Sequence, residues 1–286
     1  MFYKISGYKG IIILCLMNLL LNYLVLYPLG LGQYIGPEHP YLFGVINLVI
    51  GLIMLAVTIL YIRRVDRKTV ASLGIKKGRK HLIYSLAAIA ITIVLHLVYL
   101  KSLDEAGILK AYFNVHYFEN AQIVPMLLVT GAGWFVNAFY EEMLRAYIVV
   151  KLKHWGPLLM FLTIGLISIA MSIFNGLDLV YSILIFIVSS AFLYVYLKSG
   201  SIIPAACAHF IYNFTLGHLF GSGAVAFLRV EGETTLWYGL APFLLYVIIL
   251  VVMAKLIYGD ASVEHCLKKI DKSGQQAAGK SHSPML

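Results

Sequence analysis

Five polar residues in two otherwise apolar stretches have the types and spacing that chemistry requires. Glu141, Glu142 and Arg145 lie in FVNAFYEEMLRAYIVV, and His209 and Asn213 lie in SIIPAACAHFIYNF. On a helix, Glu141 and Arg145 share a face and can form an ion pair, whereas Glu142 lies about 100° round toward a second polar partner. His209 and Asn213 also share one helix face, so we expect two polar pairs that meet in the protein interior.

A carboxylate and an imidazole in a wet cavity suit general acid–base chemistry on a water molecule, with an amide donor stabilising an oxyanion. The same groups suit proton relay in a transporter, and their spacing does not choose between the two. His218 is nine residues past His209 and is expected on the opposite helix face. His96 is assigned to packing or to the lumenal edge, with entry into the site as the alternative.

The composition defines the elements that must position these groups. Of 286 residues, 61% are hydrophobic and 12% are charged, whereas soluble domains carry about 25% charged residues. This excludes a soluble globular protein and a disordered one. Because a bilayer needs about 20 apolar residues per helix, we predict an all-α integral membrane protein, a bundle of about eight transmembrane helices. The segments lie near 10–30, 41–62, 82–100, 122–144, 157–175, 179–197, 202–220 and 236–257.

Short polar signals bound several of these segments. Gly156-Pro157 opens the fifth segment, Asn175-Gly176 closes it, and Ser199-Gly200 separates the sixth from the seventh. Lys4 and Lys9 precede the first segment as in a signal peptide. The length of that segment and the lack of a small-residue cleavage site predict a retained helix instead.

The distribution of basic residues predicts the orientation of the bundle. The net charge is +9, with 22 Lys and Arg; in the eight-helix arrangement all except Lys101, Lys110 and Arg229 lie on the side of the amino terminus. Since cytoplasmic loops accumulate Lys and Arg, we predict an N-in, C-in topology. The basic excess then needs no nucleic acid partner, and membrane lipids are expected partners. The basic loop 63–81 is interpreted as a determinant of this topology, with contact to anionic lipid headgroups as the alternative.

The motifs resemble those of the CAAX prenyl protease 2 and bacteriocin-processing family, membrane endopeptidases that cut peptides within or next to the bilayer. FYEEMLRAY resembles the family's first motif, two adjacent Glu followed by Arg, and AHFIYNF fits its last motif, His and Asn separated by three residues. The resemblance covers roughly residues 120–215. It implies that Glu141 activates water, that Arg145 holds the carboxylate, and that His209 and Asn213 form the oxyanion site.

The first departure from the family is the spacing of the first motif. Two residues separate Glu142 from Arg145, whereas the family usually has three. Anchoring on FYEE makes Glu141 the water-activating residue, but anchoring on RAYIVV makes it the second Glu and places Tyr140 in the catalytic position. We favour Glu141 as the catalytic residue, with Glu142 as the alternative.

The second departure is the missing histidine of the fifth helix. Asn175 stands where the family has a His that helps the Glu to activate water, and the other registration gives Asp178. Asparagine cannot accept and return a proton near neutral pH as imidazole can. Asp178 can act as a base or, with Glu141 and His209, as a metal ligand, but a solvated loop position is the favoured interpretation.

These observations predict three units and a ranked set of functions. The units are N-terminal transmembrane helices 1–3 at 1–119, a CAAX-protease-like core at 120–258, and a polar cytoplasmic tail at 259–286. The first hypothesis is an intramembrane endopeptidase acting on a membrane-associated peptide, slow or inactive because of Asn175. The alternative is a catalytically degenerate protein that binds a peptide or protein partner in the same cavity, and an ion-coupled transporter ranks third.

We expect no cofactor and no required metal, with zinc as the alternative, because Glu, His and Asn make a thin zinc ligand set. Cys15, Cys207 and Cys266 predict neither a disulfide framework nor a CxxC metal site. The expected location is the plasma membrane of a prokaryotic cell.

Overall fold

The computed structural model describes residues 2–26, 40–114, 123–172, 178–221, 226–232 and 236–267, and most of these residues are helical. Eight α-helices of thirteen residues or more occur in these ranges. They are α1 Phe2–Leu26, α2 Pro40–Leu60, α3 Arg79–Glu105, α4 Ile123–Leu152, α5 Pro157–Met171, α6 Leu179–Ser199, α7 Ile202–Phe214 and α8 Leu236–Tyr258. The predicted all-α fold class is confirmed, and each of the eight apolar segments overlaps one of these helices.

Among the described residues, five helical segments are long and apolar enough to cross a bilayer. They are Tyr41–Val65, Arg79–Glu105, Ile123–Leu152, Leu179–Ser199 and Leu240–Tyr258. The chain is therefore an integral, multi-pass membrane protein. With 15 residues, α5 is shorter than the ~20 residues that a span needs, and α7 has 13. The count of eight spans and the N-in, C-in orientation stay predictions.

The helix α4 lies against several neighbours, and its contact with α2 is the closest. A Cβ atom at Gly133 of α4 would lie 2.5 Å from the Gly44 carbonyl oxygen of α2. A Cβ atom at Gly44 would lie 2.8 Å from the Thr130 Cα atom. Small residues of this kind let membrane helices approach backbone to backbone. They fix the position of α4, which carries Glu141 and Glu142.

The turn between α6 and α7 lies at Ser199-Gly200, as the sequence predicts. Gly200 ends α6 with a φ of +62°, a conformation that glycine adopts readily. The Ser201 side chain then caps α7 by accepting a hydrogen bond from the Ile203 amide. Pro157 similarly opens α5 as predicted, whereas Asn175-Gly176 lies outside the described residues.

A small three-stranded sheet joins two loops at one end of the bundle. The strands are β1 Lys110–Phe113, β2 Phe220–Gly221 and β3 Leu228–Glu231. β3 pairs antiparallel with β1 and parallel with β2. The sequence gives no sign of this sheet, because its two longer strands are far apart in the chain and no hairpin turn links them.

Candidate active site

A buried carboxylate, guanidinium and imidazole form the centre of the site. The Glu142 Oε1 atom accepts a hydrogen bond from His209 Nδ1 at 2.9 Å and a second from the Arg145 guanidinium. Glu142 is 1% exposed, Arg145 6% and His209 7%. Burial of charged groups is costly unless they are paired. The α4 and α7 motifs are therefore joined at this point through Glu142.

This contact fixes the orientation of the His209 ring. A carboxylate only accepts hydrogen bonds, so His209 Nδ1 must carry the proton in that contact. The neutral imidazole then has its lone pair on Nε2, which is the atom available to act as a base. Glu142 thus holds His209 in one tautomer, with Nε2 pointing away from the buried pair.

Glu141 faces His209 Nε2 from the other side. Its Oε2 atom lies 3.8 Å from Nε2, and its Oε1 atom accepts a hydrogen bond from Asn137 Nδ2 at 2.9 Å. The Glu141 side chain is 29% exposed, so it is accessible where Glu142 is not. A distance of 3.8 Å is too long for a direct hydrogen bond. The two groups therefore form an acid–base pair whose members are close but not bonded, and Glu141 is its accessible member.

The helix α6 contributes an aromatic wall to this centre. The Phe192 ring stacks on the His209 ring with centroids 4.7 Å apart, and the Arg145 Cζ atom lies 5.9 Å from the Phe192 centroid. Stacking of this kind stabilises a ring in one plane. Phe192 thereby restrains both groups that bind Glu142.

Hydrogen bonds at the start and in the middle of α7 hold His209 in place. Ser201 Oγ donates to the Lys76 carbonyl oxygen at 2.9 Å, and the Ile202 amide donates to the Gly74 carbonyl oxygen at 3.0 Å. The Tyr246 hydroxyl donates to the Ala208 carbonyl oxygen at 2.8 Å, one residue before His209. The loop after α2 and the helix α8 therefore fix α7.

The structure brings together most of the site residues that the sequence predicts, with one correction. The expected pairing of Glu141 with Arg145 is wrong, because the guanidinium binds Glu142, three residues before it. Three-residue and four-residue spacings are both neighbours on a helix, and the contact of Glu142 with His209 places that carboxylate in the interior. Asn213 is half-buried one turn after His209.

Three residues stand where the sequence departs from the motifs of the family, and the structure describes two of them. Asn175 lies outside the described residues. Asp178 caps α6 by accepting a hydrogen bond from the Tyr181 amide at 2.6 Å. The Tyr140 side chain is buried and accepts a hydrogen bond from the Asn18 amide of α1, so its hydroxyl is directed to α1.

The other two histidines that the sequence analysis considered lie in separate surroundings. His96 is buried, donates from Nδ1 to the Thr92 carbonyl oxygen at 2.8 Å, and packs edge-on against Tyr212. His218 is buried, and its ring lies next to the rings of Phe43 and Phe214.

Two residues of the site were missed by sequence reasoning. Asn137 precedes Glu141 by four residues, and this spacing was a signal that could have identified it. Phe192 is one of many apolar residues in α6, so no sequence signal distinguishes it. Among the described residues, no group of three His, Cys, Asp or Glu side chains is arranged to hold a metal ion.

Comparison with known proteins supports the family resemblance. Residues 121–215 match the family model described as Rce1-like, Type II CAAX prenyl endopeptidase Rce1-like. The match confirms the resemblance indicated by the motifs, and it contains the whole Glu141, Glu142, Arg145, His209 and Asn213 set. Over these residues the chain is therefore similar to the CAAX prenyl endopeptidase family. No curated protein and no solved structure gives a significant match to the chain.

Proposed function

We propose that this protein is an intramembrane endopeptidase in which Glu141 and His209 bind and deprotonate the attacking water. The observation that supports the proposal most strongly is the approach of Glu141 Oε2 to His209 Nε2, at 3.8 Å, beside an exposed edge of the carboxylate. A water molecule bound between Glu141 Oε2 and His209 Nε2 would contact a basic atom on each side. General acid–base catalysis of this kind contributes about 10²- to 10⁴-fold to a rate.

In the proposed reaction, the water oxygen attacks the carbonyl carbon of the scissile amide while Glu141 accepts the proton. The tetrahedral intermediate carries its negative charge on the former carbonyl oxygen, and the Asn213 amide is proposed to donate a hydrogen bond to it. The C–N bond then breaks, and the proton held by Glu141 passes to the leaving amine. Glu142 and Arg145 keep the His209 ring in place and are positioning residues.

The chain's own residues offer a partial replacement for the histidine that the family has at the position of Asn175. Asn175 cannot share a proton with Glu141 near neutral pH. His209 Nε2 faces the same carboxylate, so one imidazole would assist the water and lie near the oxyanion. We expect a slow enzyme, because one group performs tasks that the family divides between two histidines.

The proposed substrates are membrane-associated peptides or proteins, and nucleic acid is not an expected partner. The proposed location is the plasma membrane of a prokaryotic cell. The supporting observations are the apolar helices that surround the site and the accessible Glu141 edge, which together suit a peptide segment that enters from the bilayer.

The test is peptide cleavage by purified protein. Prenylated peptides and a library of transmembrane peptides are incubated with wild-type protein and with Glu141→Ala. The matched control is Glu105→Ala, an exposed glutamate at the end of α3. We expect cleavage by the wild type and the control and its loss in Glu141→Ala. Absence of cleavage by the wild type, or cleavage that Glu141→Ala leaves unchanged, would refute the endopeptidase.

The second candidate is a degenerate relative that binds a peptide or protein partner in the same cavity. Asn175 is the observation that favours it, because this substitution removes an imidazole that the chemistry uses. A binding protein would retain its partner when Glu141 is changed to Gln and would show no hydrolysis in any preparation. Failure of binding to respond to any cavity substitution would count against it.

A further inference from the structure

A second group of buried polar side chains lies apart from the Glu142 centre, and we call it the His218 cluster. It consists of Asn47 on α2, Trp134 on α4, and Thr215 and His218 in the π-helical turn Thr215–Leu219 that follows α7. Thr215 is fully buried and His218 is 2% exposed. Asn47 Nδ2, Trp134 Nε1, Thr215 Oγ1 and both ring nitrogens of His218 are buried and have no hydrogen-bond partner within the described residues.

Aromatic contacts bring Trp134 and His218 together around Phe43, and Thr215 lies in the same π-helical turn as His218. The Phe43 ring centroid lies 5.4 Å from that of Trp134 and 5.5 Å from that of His218, and the Trp134 and His218 rings are 6.3 Å apart. Asn47 follows Phe43 by one helical turn, and a Cβ atom at Gly133 would lie 3.2 Å from the Asn47 Cβ atom. The cluster is thus built from three separate segments of the chain.

The chemistry of the cluster selects a ligand that accepts hydrogen bonds. The amide nitrogen of Asn47 and the indole nitrogen of Trp134 are donors only, and a neutral imidazole supplies one more donor together with one acceptor, so donors are in excess. The Thr215 hydroxyl can donate as well. Buried polar groups in native proteins nearly always have a partner, so an unpartnered set of donors is costly. The matching ligand presents acceptor oxygens between aromatic rings.

The position of the cluster relates it to the proposed active site. Trp134, Asn137 and Glu141 occupy one face of α4, because they are three and then four residues apart. Trp134 precedes Glu141 by seven residues, which is about 10 Å along a helix. An extended peptide rises about 3.3 Å per residue, so this distance corresponds to roughly three substrate residues.

We propose that the His218 cluster binds an acceptor oxygen of the peptide substrate about three residues from the scissile bond. This inference rests on the proposed endopeptidase function and adds a subsite to it. The oxygen belongs either to an internal backbone carbonyl or to a terminal carboxylate, and the donors of the cluster suit both. The cluster therefore sets the register of the peptide relative to Glu141.

The experiment measures peptide binding rather than cleavage. The chain has three tryptophans, so the Trp155→Phe, Trp237→Phe double variant leaves Trp134 as the sole indole reporter inside the cluster. The probe is a pair of apolar pentapeptides without tryptophan or tyrosine, identical except for a terminal carboxylate or carboxamide. Each is titrated into protein in lipid nanodiscs while Trp134 emission is recorded.

We expect saturable binding that His218→Phe and Thr215→Val each weaken by roughly 3- to 10-fold, as the loss of one hydrogen bond would. Thr215→Val is nearly isosteric, which limits any effect on folding. The matched control is His96→Phe, a buried histidine on another helix, which leaves the affinity unchanged. A tenfold preference for the carboxylate peptide identifies a chain terminus as the oxygen source, and equal affinities identify an internal carbonyl.

Absence of a saturable Trp134 response, or affinities that are equal in wild type, His218→Phe and Thr215→Val, would overturn the inference. The outcome is separable from that of the proposed function. Peptides that bind at Trp134 but are never cut would refute the endopeptidase and leave the binding site. Peptides that are cut with no dependence on His218 or Thr215 would refute the subsite alone.

Discussion

Replacement of Glu142 by alanine should destabilise the protein far more than the same change at Glu141. Glu142→Ala removes the acceptor of two buried donors, the Arg145 guanidinium and His209 Nδ1. Arg145 is 6% exposed, so it would keep a buried charge without its carboxylate partner. Breaking such a pair costs about 3–5 kcal/mol.

Glu141→Ala provides the comparison at the neighbouring position. Its side chain is 29% exposed and loses one hydrogen bond, from Asn137, which is worth about 0.5–1.5 kcal/mol. The surface control Glu105→Ala should stay within about 0.5 kcal/mol of wild type. The predicted order of stability is therefore Glu105→Ala, then Glu141→Ala, with Glu142→Ala well below both.

The assay is the free energy of unfolding in mixed micelles, obtained by SDS titration at constant pH with tryptophan emission as the signal. A double variant, Glu142→Leu with Arg145→Met, separates the unpaired Arg145 charge from the other effects of the substitution. Apolar replacement of a buried ion pair is often neutral, so the double variant should recover the part of the loss that comes from the unpaired guanidinium, while His209 Nδ1 lacks its acceptor in both variants. A loss of less than about 1 kcal/mol in Glu142→Ala, or one no larger than that in Glu141→Ala, would refute the assignment of Glu142 as the buried positioning residue.

Three further predictions concern packing and the reaction. Gly165→Ala places a Cβ atom onto the Phe186 ring and should lower the free energy of unfolding by about 1–3 kcal/mol; an unchanged SDS titration would contradict it. Phe192→Leu removes the ring that stacks on His209 and should lower kcat roughly 3- to 10-fold at similar KM, since stacking is worth about 0.5–1.5 kcal/mol; a change confined to KM would count against it. Asn175→His should raise the cleavage rate by up to about 10²-fold through a second imidazole, and a rate at or below wild type would contradict that role.

The helices were predictable because the bilayer imposes a length and an apolar composition on each of them. The segments 82–100 and 236–257 correspond to Arg79–Glu105 and Leu236–Tyr258. The turn at Ser199-Gly200 was also predictable, since the φ of +62° at Gly200 suits glycine. The ends of helices were less predictable, because apolar residues can continue past the last helical turn.

The partner of each charged residue was not predictable from the sequence. Arg145 has neighbours at both three and four residues before it, and local spacing favours neither. The contact with His209 distinguishes the two carboxylates, because its Nδ1 atom is hydrogen-bonded to Glu142 where α7 packs against α4. The stacking of Phe192 on His209 likewise depends on the position of α6, which no local pattern specifies.

The small sheet was missed for a related reason. Lys110–Phe113 pairs with Leu228–Glu231 across more than a hundred intervening residues. Strands this short give a weak periodic signal, and no turn sequence joins them. The sheet forms because the two loops emerge from neighbouring helices at the same end of the bundle.

The most direct test of the proposed water-activating pair is the cleavage rate of Glu141→Gln relative to wild type, measured in proteoliposomes at equal amounts of folded protein. Glutamine keeps the size of the side chain and can still bond to Asn137, but it cannot accept the proton of water. We predict a decrease of at least about 10²-fold with a free energy of unfolding close to that of wild type. A rate within about threefold of wild type would show that a group other than Glu141 activates the water.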